Sequence, residues 1–125
     1  MDRSAFFALA ANLCGAEPEY PWADHPGFAV LRHQSNRKWF ALVMDLPRSK
    51  LGLDGGGRID VVNLKCDPAL IGSLLTEPGV YPAYHMSKTH WLSAALDGSL
   101  PADLLEFLLN RSYDLTAPAP RRPRP

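Results

Sequence analysis

The densest run of chemistry-bearing side chains is Tyr81-Pro82-Ala83-Tyr84-His85-Met86-Ser87-Lys88-Thr89-His90-Trp91. His85 and His90 lie five positions apart, a spacing that does not place two ligands on one helix face or one strand face. A metal ion there would also need a third ligand from elsewhere, such as Asp97 or Cys66. The end of the run therefore reads as structural, with His90 hydrogen-bonded at a strand start and Trp91 in the core. Its polar and aromatic mixture, with Tyr84, His85, Lys88 and His90 as the candidate lining, suits a shallow pocket. Gly55-Gly56-Gly57 resembles a phosphate cradle in composition alone: a phosphate loop follows a strand and opens a helix, whereas here a strand follows. Cys14 and Cys66 have no partner at metal or redox spacing, so two reduced thiols are expected. There is no GxGxxG, P-loop, GxSxG, HExxH or CxxC motif, and no local signature singles out a nucleophile or a base. The expectation is a non-enzymatic chain with no cofactor and no metal.

The charge pattern says more than the charge total. Thirteen Lys and Arg balance thirteen Asp and Glu, which excludes a chain that is basic throughout. Residues 1–31 carry net −3, residues 32–65 net +4, residues 66–116 net −4, and the tail net +3. The positive stretch gathers Arg32, His33, Arg37 and Lys38 at one predicted inter-strand loop and Arg48, Lys50 and Arg58 at another. Basic loops projecting from a sheet engage phosphates. Charges at strand edges also guard against edge-to-edge aggregation.

Those side chains must be positioned by one small domain. The chain has 125 residues, 46% of them hydrophobic and 21% charged, which matches a single soluble core. No apolar run is long enough for a signal peptide or a membrane helix, and a cytoplasmic protein is expected.

Phe6, Leu9, Ala10 and Leu13 mark one face of a helix near 4–14, with Asp2 or Ser4 to start it and Gly15 to end it. A proline-rich connector follows. Strands are predicted over 28–32, 38–45, 58–65 and 90–96 from their aromatic and β-branched residues, with Asn63 facing out at least in part. Asp67-Pro68 starts a second helix, and Tyr81-Pro82 opens an irregular segment. A last helix covers 101–113, with Leu104, Leu105, Leu108 and Leu109 toward the core. The order α-β-β-β-α-β-α, with short polar links between the first three strands, predicts an α+β two-layer sandwich. An antiparallel sheet of four or more strands carries its helices on one face. The domain spans 1–116, and residues 117–125 form a Pro/Arg-rich tail, expected to be extended or disordered.

The run from Tyr81 to Trp91, followed by Leu96-Asp97-Gly98-Ser99-Leu100-Pro101 and by Ser112-Tyr113, resembles the MmcQ/YjbR family. Members carry a similar Tyr/His, Asn-Lys, His-Trp run, then an Asp-Gly turn and a helix ending near Ser-Tyr. Ser87 stands where members often have asparagine. Gly15-Ala16-Glu17 and Trp22 also look similar, and the likeness covers nearly all of residues 4–115. The resemblance implies a CyaY-like fold. It also implies DNA binding, since members are described as using two inter-strand loops as wings. Frataxin-type iron binding would need an acidic first helix and edge strand; this helix offers only Asp2 and the middle strands are basic, so iron is rejected.

Together these readings predict a monomer that binds DNA weakly and non-specifically. Its phosphate contacts would come from Arg32, His33, Arg37, Lys38, Arg48, Lys50 and Arg58, without membrane association. The alternative is a protein- or small-molecule-binding module centred on Tyr81–Trp91. In either reading Trp91 is expected to be buried, with Lys88 and one of His85 or His90 exposed.

Overall fold

The carboxylate of Asp2 accepts a hydrogen bond from the Ala5 N–H at 2.9 Å, the side-chain cap that an orphan helix donor requires. It opens α1 (Arg3–Cys14), which Gly15 closes in the left-handed conformation at φ 63°. A computed structural model of the chain describes residues 1–118. Arg121, Arg122 and Arg124 lie outside the described residues, and with them most of the predicted tail.

Five strands form one antiparallel sheet: β1 (Ala29–Arg32), β2 (Trp39–Pro47), β3 (Arg58–Lys65), β4 (Val80–Pro82) and β5 (Trp91–Ala95). Their spatial order is β1-β2-β3-β5-β4. The predicted antiparallel α+β arrangement is therefore present, with one strand more than the four read from the sequence. The extra strand, β4, falls in the segment expected to be irregular. It has three residues and ends in Pro82, too short to show a period, and it lies at the sheet edge, where a residue without an N–H is tolerated.

Two further helices complete the fold: α2 (Pro68–Leu74), between β3 and β4, and α3 (Ala102–Thr116), after β5. One sheet face packs against the helices through Phe6, Leu31, Val43, Leu64, Leu92, Leu105 and Leu109. Leu13, assigned to the buried face of α1, is 41% exposed. Asp67 stands at the N-cap position of α2, yet its side chain makes no cap bond. The Arg111 guanidinium takes the carboxylate instead, at 2.7 and 2.8 Å, and so ties the start of α2 to α3.

The other face is buried as well, under loops. Leu42, Met44, Leu46, Ile59, Val61 and Ala95 form a second apolar cluster there, and Trp22, Phe28, Trp39, Leu51, Tyr81 and Tyr84 pack against it. A register shift adds Trp39 to this face. Leu31 pairs with Ala41, but Arg32 pairs with Trp39, which leaves Phe40 as the extra residue of a bulge. Phe40 and Ala41 then both join the helix-side cluster, and Trp39 swings to the opposite face.

Candidate binding site on the loop-covered face

Asn63 is fully buried, contrary to the outward orientation expected for it. It pairs across the strands with Ser93, and the two form a closed polar circuit around Tyr84. The Tyr84 N–H donates to Ser93 Oγ at 3.1 Å. Ser93 Oγ donates to Asn63 Oδ1 at 2.5 Å. Asn63 Nδ2 donates to the Tyr84 carbonyl at 2.8 Å. Both backbone groups of Tyr84 are thereby satisfied without a strand partner, as buried polar groups require. The loop 83–90 is held across the sheet rather than projecting from its end. His85 follows at φ 59°, a left-handed backbone that a non-glycine residue holds only when its surroundings impose it. The rings of Tyr84 and His85 meet edge to face, with centroids 4.0 Å apart.

The 3₁₀ turn Arg48–Leu51 comes to the same face, and two cavities open between these segments. One, of about 310 Å³, is lined by His25, Phe28, Asp45, Lys50, Arg58 and Tyr84 among others. The second, of about 190 Å³, is lined by Lys50, Leu51, Tyr81, Tyr84 and Lys88 among others. Lys50 and Tyr84 line both. His25 stacks on Phe28, with centroids 4.6 Å apart and planes 20° apart. Arg58 donates to Asp45 at 3.2 Å, and Arg48 Nε donates to the Asp54 carbonyl at 3.0 Å. Among the described residues, neither Lys50 nor Lys88 forms an ion pair. The smaller cavity has two lysines and no acid in its lining.

The predicted site residues are thus sorted into two places. Lys50, Arg58, Tyr84 and Lys88 converge on the loop-covered face. Arg32, His33 and Arg37 line a different cavity at the β1–β2 turn, and Lys38 is exposed beside it. The two basic loops do not make one surface, because they leave β2 from opposite ends. That strand has nine residues and spans roughly 25–30 Å. His33 is turned inward in this arrangement. It is 5% exposed, with Nε2 3.0 Å from the Tyr113 carbonyl and 2.9 Å from Thr116 Oγ1. Arg32 is already engaged by Glu19.

His85, Lys88 and His90 are all exposed, and His90 Nδ1 lies 3.4 Å from Ser87 Oγ. Trp91, expected in the core, is half-buried. It sits opposite Lys65 at the end of the sheet, on the face of Ser93 and Ala95, where the loop cover runs out. His25 escaped the sequence reading because it sits in a connector with no period, and Phe28, read as the first residue of a strand, instead precedes β1 (Ala29–Arg32) and lines the cavity. Asn63 and Ser93 escaped it because their pairing exists only once the register of β3 and β5 is known.

Comparison with known proteins agrees with this fold and length. The YjbR family model matches residues 11–115. The uncharacterized protein YyaQ of Bacillus subtilis is 40% identical over 116 residues, covering 93% of this chain and 98% of the relative. The uncharacterized protein YbdF of Escherichia coli O157:H7 is 38% identical over 120 residues, covering 92% and 87%. A crystal structure of a Pseudomonas syringae protein superposes with TM-score 0.91 at 44% identity, covering 94% of this chain and all of that one. The Deinococcus radiodurans protein DR2400 superposes with TM-score 0.68 at 26% identity, covering 91% of this chain and 77% of that one. With the matched model spanning nearly the whole described chain, this protein belongs to the YjbR family.

Proposed function

We propose that this protein is a recognition domain, not an enzyme, which binds a small ligand carrying an anionic group and a planar group in the cleft on its loop-covered face. The reading rests on one observation: Lys50 and Tyr84 line both cavities, so one cation and one aromatic ring serve a single bound molecule. The anionic group fits the smaller cavity, where Lys50 and Lys88 meet no competing carboxylate. The planar group fits the larger one beside Phe28, His25 and Tyr84, whose Asp45 is neutralised by Arg58. Tyr84 is anchored through both its backbone groups, and a preorganised ring loses little freedom on binding.

The test is an amide NMR titration of the full chain with inorganic phosphate, with nucleoside monophosphates, and with a short DNA duplex. Nucleoside monophosphates are expected to shift residues 24–28, 50–53 and 81–88, and phosphate alone to shift only the last two groups. Lys50→Ala and Lys88→Ala should each weaken binding about tenfold or more, as for a lost charge-assisted hydrogen bond. Binding of the duplex alone, with a log–log salt slope of roughly −3.6 for about four phosphates and loss on joint reversal of Arg37 and Lys50 to Glu, would replace this reading with DNA binding through the two basic loops.

A further inference from the structure

We infer that the protein has a second ligand site, independent of the first, which takes a small zwitterion of the α-amino acid type at the β1–β2 turn. The cavity there is about 510 Å³, larger than either of those on the loop-covered face. One wall is the segment that leaves α1, from Cys14 to Glu19; the other is the turn from Arg32 to Arg37.

Both walls are held in place. Asn36 Nδ2 donates to the Thr116 carbonyl at 2.9 Å, and Asn36 Oδ1 accepts from the Lys38 N–H at 3.0 Å. His33 clamps the same turn to the last turn of α3, and Arg37 is held at φ 65°. On the facing wall, Glu19 exchanges two backbone hydrogen bonds with Val30, at 3.0 and 2.9 Å. Its carboxylate receives Arg32 at 2.7 and 3.0 Å. A cavity between two tethered walls is preformed, as ligand sites usually are.

The charges left over define the ligand. Arg32 is paired with Glu19, whose carboxylate also feels the more distant charge of Arg37. Arg37 on one wall and Glu17 on the other form no ion pair among the described residues. The C-terminal end of α1 reaches the cavity at Cys14 and Gly15 and adds the negative pole of its dipole beside Glu17. The turn adds the Ser35 hydroxyl and the Gln34 amide beside Arg37. A simple anion meets Glu17 unmatched, and a simple cation meets Arg37 unmatched. A molecule with both an ammonium and a carboxylate satisfies both poles, and the remaining volume admits a side chain.

The experiment titrates the full chain by amide NMR with glycine and a panel of L-α-amino acids, and separately with acetate and with methylammonium. At least one amino acid is expected to shift residues 14–19 and 33–37, with acetate and methylammonium about tenfold weaker or worse. Both variants lie on exposed side chains. Glu17→Gln removes one pole, and Arg37→Asn removes the other while keeping a residue that tolerates the left-handed backbone; each should weaken binding about tenfold. Lys50→Ala should leave this site unchanged, which separates it from the first. The proposal is overturned if no amino acid perturbs these amides at tens of millimolar. It is equally overturned if acetate binds as well as the amino acids and Glu17→Gln has no effect.

Discussion

Ser93 Oγ donates to Asn63 Oδ1 at 2.5 Å across two central strands, and the pair holds both backbone groups of Tyr84. A polar circuit in an otherwise apolar face is stable only when complete. Ser93→Ala leaves Asn63 Oδ1 and the Tyr84 N–H buried without partners, at about 1–3 kcal/mol. Asn63→Ala should cost a similar amount, and the double variant less than their sum, because the two share one circuit. Urea unfolding of the four proteins measures the coupling; strict additivity would show that the pair acts as separate contacts.

Acid should weaken the link between α2 and α3. The Arg111 guanidinium beside Asp67 holds its carboxyl below the ordinary value of 3.8. The folded state then binds that proton less readily than the unfolded chain, so the link's contribution is complete at neutral pH. It is lost as pH falls below about 4 and through the lowered folded value. Arg111→Gln should remove this component and flatten the acid limb of a stability–pH curve relative to the parent. Parallel curves for the two proteins would contradict it.

Gly79 allows no side chain. Its φ is 86°, and an added Cβ would lie 2.6 Å from Ser99 Oγ and 3.1 Å from the Leu100 nitrogen. Gly79→Ala should cost about 1–3 kcal/mol through backbone strain and crowding. Calorimetry should find the melting temperature lower by several degrees.

Trp91→Ala is expected to cost less than the roughly 3–5 kcal/mol of a large aromatic lost from a core, because the ring is half-buried. A loss inside that range, measured by denaturant unfolding, would place the indole fully in the core.

Burial pushes both thiols up, with Asp114 adding to the effect at Cys14 and Asp67 at Cys66. Both should react slowly with iodoacetamide at neutral pH, since the thiolate is the nucleophile. Cys66, buried in the core, should label only on unfolding. Cys14 lines the larger cavity, so an amino acid bound there should slow Cys14 labelling and leave Cys66 unaffected. Mass spectrometry of the labelled chain distinguishes the two.

Much of the architecture is legible along the chain, because it depends on short-range patterns. The apolar spacing of Phe6 and Ala10, the leucines of α3, the Asp67-Pro68 start and the alternation along β2 and β3 are local signals, and they suffice for the antiparallel α+β class. The basic loops and the Tyr81–Trp91 run are equally visible as composition. What they build is not visible, because it depends on register and on the ends of strands. The bulge at Phe40 turns Trp39 to the second face, and the pairing of Asn63 with Ser93 folds Tyr84 across the sheet. The nine residues of β2 send Arg37 and Lys50 to opposite ends of that strand, so residues that a charge map groups together belong to two separate cavities. A one-dimensional pattern fixes which side chains alternate; only the tertiary pairing decides which of them meet.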